Sequence, residues 1–287
     1  MRENASFAAA WRTVGDMRFS LFMRVLPRES TRHAGIFCYF YAVNKPKGFR
    51  MNLKITTALI ALGSACLLMA FFVEGRGGGK PVDRVKEARR RTLPLLEPCL
   101  QRLGAYEGDE VFLRIVKEER QLELWMRPRG RSRFYLLKTY PVAAMSGELG
   151  PKTAEGDGQA PEGFYAVEKN ALNPRSSYHL SFNIGYPNAH DRSLGRTGSF
   201  IMVHGGECSI GCFAMTDAGI EEIYTLVAAA LEAGHVQVPV EIYPFRMTKA
   251  NMRRHAASSH MPFWEGLKRA WQYSEEHGKP LSLHAER

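Results

Sequence analysis

Cysteine is scarce in this chain, with five among 287 residues. That is too few for the disulfide framework that holds a small secreted domain together. No internal repeat and no low-complexity tract is visible, which excludes solenoids and collagen-like chains. No phosphate-cradling glycine loop or dinucleotide fingerprint occurs, so no nucleotide cofactor is implied and none is expected. Acidic residues are outnumbered, 29 against 39 Lys and Arg, for a formal net charge of +10. A basic balance fits nucleic acid, anionic lipid or an acidic wall polymer and does not choose among them. Much of the excess lies in residues 1–54 and in the cluster Arg89, Arg90 and Arg91. No basic stretch is interleaved with aromatics, so nucleic acid is not an expected partner. What the chain does hold is 45% hydrophobic and 11% aromatic residues, enough for one or two domains with real cores.

The longest apolar run, Ile55 to Val73, carries no charge. It approaches the ~20 residues needed to span a bilayer. Met51 and Lys54 precede it as a short secretory n-region would, and Glu74 and the flexible GRGGGKP follow it. Residues 51–75 therefore read as a signal peptide or signal anchor. Residues 1–50 show no clear periodicity, and a signal does not belong fifty residues inside a protein. They read as an upstream segment, with translation starting at Met51. Lys and Arg on the N-terminal flank place that end in the cytoplasm and the rest of the chain outside. Residues 76–107 read as a linker and a short helix, with Val85, Ala88, Leu93 and Leu96 as a stripe interrupted at Pro94 and Cys99 as a small buried hydrophobe.

Residues 108–250 read as a β-rich body, mainly β with flanking helices. VFLRIVKEERQLELWMR (111–127) alternates on both sides of a polar turn, a hairpin signal, and a third strand follows in 133–144. Their close spacing points to an antiparallel sheet rather than a βαβ unit. Further strands are expected at 164–167, 179–183, 200–204 and 238–243. One convincing helix covers 217–233, capped by Thr216 or Asp217 and stopped by Gly234. The polar tail 251–287, with Trp264 and Trp271 at helical spacing, predicts a surface helix.

The chemistry concentrates in SFIMVHGGECSIGCFAMTD (199–217). An apolar strand delivers His204, two glycines turn the chain, and a second turn at Gly211 precedes Cys212. A cysteine nucleophile needs a base or cation beside it, donors for an oxyanion, and access. His204 supplies the first, and backbone N–H groups of Ile210, Gly211 and Cys212 can supply the second. Other readings of the same residues stay open: a structural histidine with two buried cysteines, a zinc set of His204, Cys208 and Cys212 lacking a fourth ligand, or a Cys208–Cys212 disulfide that disables the nucleophile. No metal is expected.

Taken in order, GDGQAPEGFYAV, then IMVHG, then the S-x-G-C of Ser209, Gly211 and Cys212, the chain resembles the YkuD-type L,D-transpeptidase family. The longer stretch from YHLSFNIGYPNAHDRSLGRTG to VPVEIYPFRMT resembles its YafK-like branch. The resemblance implies a YkuD-like β-sandwich acting on peptidoglycan in the periplasm of a Gram-negative bacterium, released after signal cleavage or anchored in the inner membrane by 55–73. It implies that Cys212 attacks the carbonyl at the L-centre of meso-diaminopimelate to form a thioester. His204 would be its partner, and Ser209, Ile210 and Gly211 the flanking turn. An amine acceptor then gives transfer, and water gives hydrolysis, which on this branch can detach a lipoprotein from the wall. The chain departs from the family in a short eight-residue step from His204 to Cys212, and in Phe213 and Ala214 where Arg or Asn is common.

Loop 178–198 crowds Tyr178, His179, Tyr186, Asn188, Arg192 and Arg196 into a short stretch. These are the candidate substrate contacts, because arginine pairs bidentately with a carboxylate and diaminopimelate carries one. The same sequence is also compatible with Asp191 and Arg192 pairing on a solvated loop and with a structural His179. The expected partners are thus diaminopimelate-containing stem peptides and a wall-linked lipoprotein. An amidase on the same thioester and an inactive wall-binding module are the rival functions.

Overall fold

The computed structural model describes residues 83–281. The expected upstream segment 1–50 and signal 51–75 lie outside the described residues. Among those described, no helix is long and apolar enough to cross a membrane.

The first element is a 20-residue helix, α1 (Arg84–Leu103), capped by Asp83 and closed by Gly104 in a left-handed conformation. The expected break at Pro94 does not occur. Pro94 and Pro98 both sit inside the helix at exposed positions, where the missing N–H bonds leave solvent-side carbonyls. The opposite face, Ala88, Thr92, Leu96 and Leu100, is buried at a regular four-residue step. That packing offsets the proline cost, ~3 kcal/mol each in an isolated helix. Cys99 is half-buried and packs against the core.

Strands β1 (Glu110–Val116), β2 (Gln121–Arg127) and β3 (Tyr135–Pro141) form the antiparallel meander the alternation predicts. The sheet is nevertheless mixed. Strand β9 (Gln237–Tyr243) returns through a long helix and inserts parallel to β1, with β4 (Gly163–Glu168) antiparallel on its far side. The order is β3-β2-β1-β9-β4. A return of this length cannot be read from local spacing. A second, smaller sheet runs β5 (Leu172–Asn173), β6 (Ser181–Asn183), β7 (Met202–His204) and β8 (Phe213–Ala214), with β7 and β8 parallel. Between β6 and β7 lies the short helix α2 (Ala189–Ser193).

Helix α3 (Asp217–Glu232) is apolar nearly all round, as its IYTLVAAAL run dictates, and is buried through Ile220, Ile223, Leu226, Val227 and Ala230. It shares one core with α1 and both sheets. Two further helices, α4 (Lys249–Arg254) and α5 (Met261–His277), follow β9. The expected surface helix is instead part of a second core. Trp264 and Trp271 are buried with Leu267 against Val116, Tyr243 and Phe245. The polar residues of α5 mask its apolar stripe in the average composition, and the stripe is what packs.

Candidate active site

Strand β7 ends in His204 and β8 begins one residue after Cys212. The parallel register sets Val203 opposite Phe213 and His204 opposite Ala214. Val203 and Phe213 point into the core, so strand alternation turns His204 and Ala214 to the other face. His204 therefore closes β7, while Cys212 directly precedes the paired β8 and is tied to β7 through the Met202 N–H.

The turn after His204 requires its glycines. A Cβ on Gly205 would lie 2.6 Å from Asp217 Oδ1 and 2.8 Å from the Tyr178 carbonyl. Gly206 donates its N–H to Asp217 Oδ1 at 2.9 Å, which ties the histidine loop to the start of α3. The turn before Cys212 holds Gly211 at a φ of 79°. Gly211 donates its N–H to Ser146 Oγ at 2.7 Å, and Ser146 donates to the Gly158 carbonyl at 2.6 Å. One of the turn's expected oxyanion donors is thus already engaged.

His204 is buried, and its Nδ1 lies 2.6 Å from the Gly205 carbonyl. A carbonyl only accepts, so Nδ1 carries the proton and Nε2 keeps the basic lone pair. Burial lowers the pKa of His204 below its ordinary value, against a smaller opposing effect of the Gly205 bond. Burial raises that of the Cys212 thiol, against smaller effects of the Met202 N–H and the Lys152 charge. Cys212 Sγ accepts from Met202 N–H at 3.3 Å and donates to the Phe200 carbonyl at 3.6 Å. No hydrogen bond joins His204 to Cys212 among the described residues. Both shifts favour the neutral forms, thiol and imidazole, over the ion pair a bare Cys–His pairing suggests.

Of the candidate substrate contacts, Tyr178 lies at the site. It is half exposed, and its ring centroid is 4.8 Å from that of His204. The others have polar groups committed to holding the fold. His179 Nε2 meets Glu221 at 2.6 Å. Tyr186 is buried, and its hydroxyl donates to the carbonyls of Lys152 and Thr197. Asn188 caps α2. Arg192 donates to the Pro187 carbonyl. Asp191 pairs at 2.7 Å with Arg196, not with Arg192. A loop with little regular backbone pairing draws on its own polar side chains to satisfy buried groups. Ser209 Oγ is buried with no partner among the described residues, Ile210 is 83% exposed, and Cys208 is exposed.

Sequence reasoning missed Ser146, Lys152 and Phe200. Lys152 is nearly buried, with its ammonium on Asp157 at 2.5 Å and the Ala154 carbonyl at 2.7 Å. Phe200 is 75% exposed at a φ of 53°. No local pattern marks any of the three, because each matters through a residue distant in sequence.

Residues 110–242 match the YkuD family, described as an L,D-transpeptidase catalytic domain. Over 176 residues the chain is 48% identical to the Escherichia coli (strain K12) protein named "Putative L,D-transpeptidase YafK", covering 61% of this chain and 71% of that one. The chain belongs to the YkuD L,D-transpeptidase family and has its fold. Among solved structures it is similar to the helical cell shape determining protein Pgp2 from Campylobacter jejuni, at 21% identity and a TM-score of 0.38. That likeness covers 63% of this chain and 65%, a little under two thirds, of the other. It is also similar to Mycobacterium tuberculosis L,D-transpeptidase 1, at 14% identity and a TM-score of 0.26, over 47% of this chain and 62% of that one.

Proposed function

We propose that the protein is a cysteine acyltransferase of peptidoglycan, working through a thioester on Cys212. The observation that carries this reading is that His204 ends β7 and Cys212 directly precedes its paired strand β8, its Sγ bonded to the Met202 N–H of β7, with the histidine held in the tautomer that leaves Nε2 free to take a proton. Sγ attacks the carbonyl at the L-centre of diaminopimelate in a stem peptide. Its proton passes to Nε2, and the S–C bond forms. The peptide C–N bond breaks, and the departing amine takes the proton back from His204. Backbone N–H groups of Ile210 and Cys212 are the oxyanion donors on this reading. Tyr178 covers the imidazole and limits water.

Membership of the family supports the peptidoglycan substrate, and the apolar run 55–73 supports export to the periplasm, with the segment cleaved or kept as an inner-membrane anchor. Incubation with tetrapeptide muropeptides and with lipoprotein-linked muropeptides, read by mass spectrometry, tests the reading. Cross-linked dimers with a transient adduct on Cys212 support transfer. Release of free lipoprotein makes the enzyme a hydrolase on the same scaffold. The absence of adduct and turnover with both would leave only a wall-binding module.

A further inference from the structure

Beneath the segment that walls the active site lies a buried ammonium with no role in the chemistry above. Lys117 follows β1 and is 1% exposed. Its Nζ donates to three carbonyls at 2.9 Å each, those of Glu148, Gly150 and Ala160, and to Glu162 Oε1 at 3.0 Å. Three donors are thus spread over four acceptors, all from residues 148–162. Glu162 is also buried. Its Oε1 accepts from Gly150 N–H at 2.6 Å, and its Oε2 accepts from Trp264 Nε1 of α5 at 2.8 Å. Taking a lysine and a glutamate out of water is costly, and here it is offset by a full set of charge-assisted bonds.

The bonds gather the two ends of one loop. Gln159 repeats the tie, with Nε2 on the carbonyls of Glu148 and Gly150 and Oε1 accepting from Glu148 N–H. The loop so closed carries Ser146 at one end and Gly158 at the other, and Ser146 Oγ bridges Gly158 to the N–H of Gly211, next to Cys212. A continuous path therefore runs from Trp264 through Glu162 and Lys117 to the nucleophile's turn.

We propose that Lys117 is a positioning residue for the nucleophile: by clamping the 148–160 loop it sets Ser146 under Gly211 and so fixes the turn that presents Cys212. The proposal rests on the reading of Cys212 as nucleophile. Lys117 touches neither substrate nor thiol and acts through Ser146.

The test replaces the ion pair together, as Lys117→Met with Glu162→Leu, so that no lone charge is left buried. Near-UV circular dichroism checks the fold. The expected result is a fall in kcat of about tenfold or more with KM held within about twofold, because misplacement of a reacting group costs rate rather than binding. Adding Ser146→Ala should then cost little more, since both changes act on one path. A folded variant with unchanged kcat, or losses that simply multiply with Ser146→Ala, overturns the proposal. If the paired replacement does not fold, Trp264→Phe removes one hydrogen bond to Glu162 and keeps a ring in place. The same cycle with Ser146→Ala is then read, with the same two results deciding. Retained turnover in Cys212→Ala would instead sink the parent reading and is told apart by that variant alone.

Discussion

The imidazole of His204 gives its Nδ1 proton to the carbonyl of Gly205, the next residue in its own chain, across 2.6 Å. This bond needs no third side chain. It uses a backbone carbonyl where many catalytic histidines use a carboxylate, and it stabilises the cation less. It opposes burial only in part, so the pKa of His204 stays below its ordinary value.

The pH response separates a neutral pair from an ion pair. Alkylation of Cys212 by iodoacetamide reports the thiolate. Burial raises the thiol above its ordinary 9.0, so the alkylation rate should climb only on the alkaline side, and His204→Gln should barely move its midpoint. Turnover should behave differently. His204 must be neutral to accept a proton, and its pKa is lowered from 6.5, so the acid limb of kcat/KM should lie below 6.5. His204→Gln should remove that limb and cut turnover by roughly 10²–10⁴-fold. An alkylation midpoint below neutrality that rises in His204→Gln would establish a resting ion pair instead.

The two cysteines of the loop should not be equivalent. Cys212 sits half-buried against Met202 N–H, whereas Cys208 is exposed beside Glu207. Cys212→Ala should abolish turnover and the acyl adduct, and Cys208→Ala should keep most of both. Equal loss in the two variants points to a shared metal or a structural disulfide.

Arg84, at the start of α1, reaches across to the carbonyls of Ser176 and His179 at 2.8 and 2.9 Å and so brackets Tyr178. Arg84→Ala should free the loop that lays Tyr178 on His204. The expected cost is on the order of threefold to tenfold in kcat, with a melting temperature close to that of the parent, since an exposed arginine contributes little to stability. A full loss of rate or of fold would show that Arg84 does something else.

Asp157 organises the loop that Ser146 ties to the turn before Cys212. It accepts from the N–H groups of Thr153, Ala154 and Gln159 and from Lys152. Despite opposing desolvation, these bonds hold its carboxyl far below the usual range. A folded pKa below the unfolded one means stability that is present above pH ~4 and lost as pH falls through the folded value. Asp157→Ala should lower stability at neutral pH by on the order of 2 kcal/mol and flatten the acid side of the stability curve. Urea melts at a series of pH values measure both, and an unchanged acid slope would count against the assignment.

Leu267 of α5 is buried in the second core with Trp264 and Trp271. Leu267→Ala should cost ~2–5 kcal/mol, as for other buried leucines, and truncation after 250 should yield aggregated protein. A stable, soluble truncation would show that α5 is dispensable.

Local pattern by itself determined the hairpin, the central helix, the glycine turns and the chemical pair. Alternation, capping and the H-G-G and S-x-G-C spacings act over a few residues, and there the sequence is its own constraint. The sheet order, the continuity of α1 through two prolines and the burial of α5 were decided by packing between segments from about twenty to over a hundred residues apart. No window of sequence contains both sides of such a contact. The same holds at the site. His204 and Cys212 are legible because they share one loop. Ser146 and Lys152 come from another loop, and the protonation of the pair depends on how deeply the surrounding chain buries it. That depth is a property of the assembled fold, set by the desolvation of the two groups and not by their order along the chain.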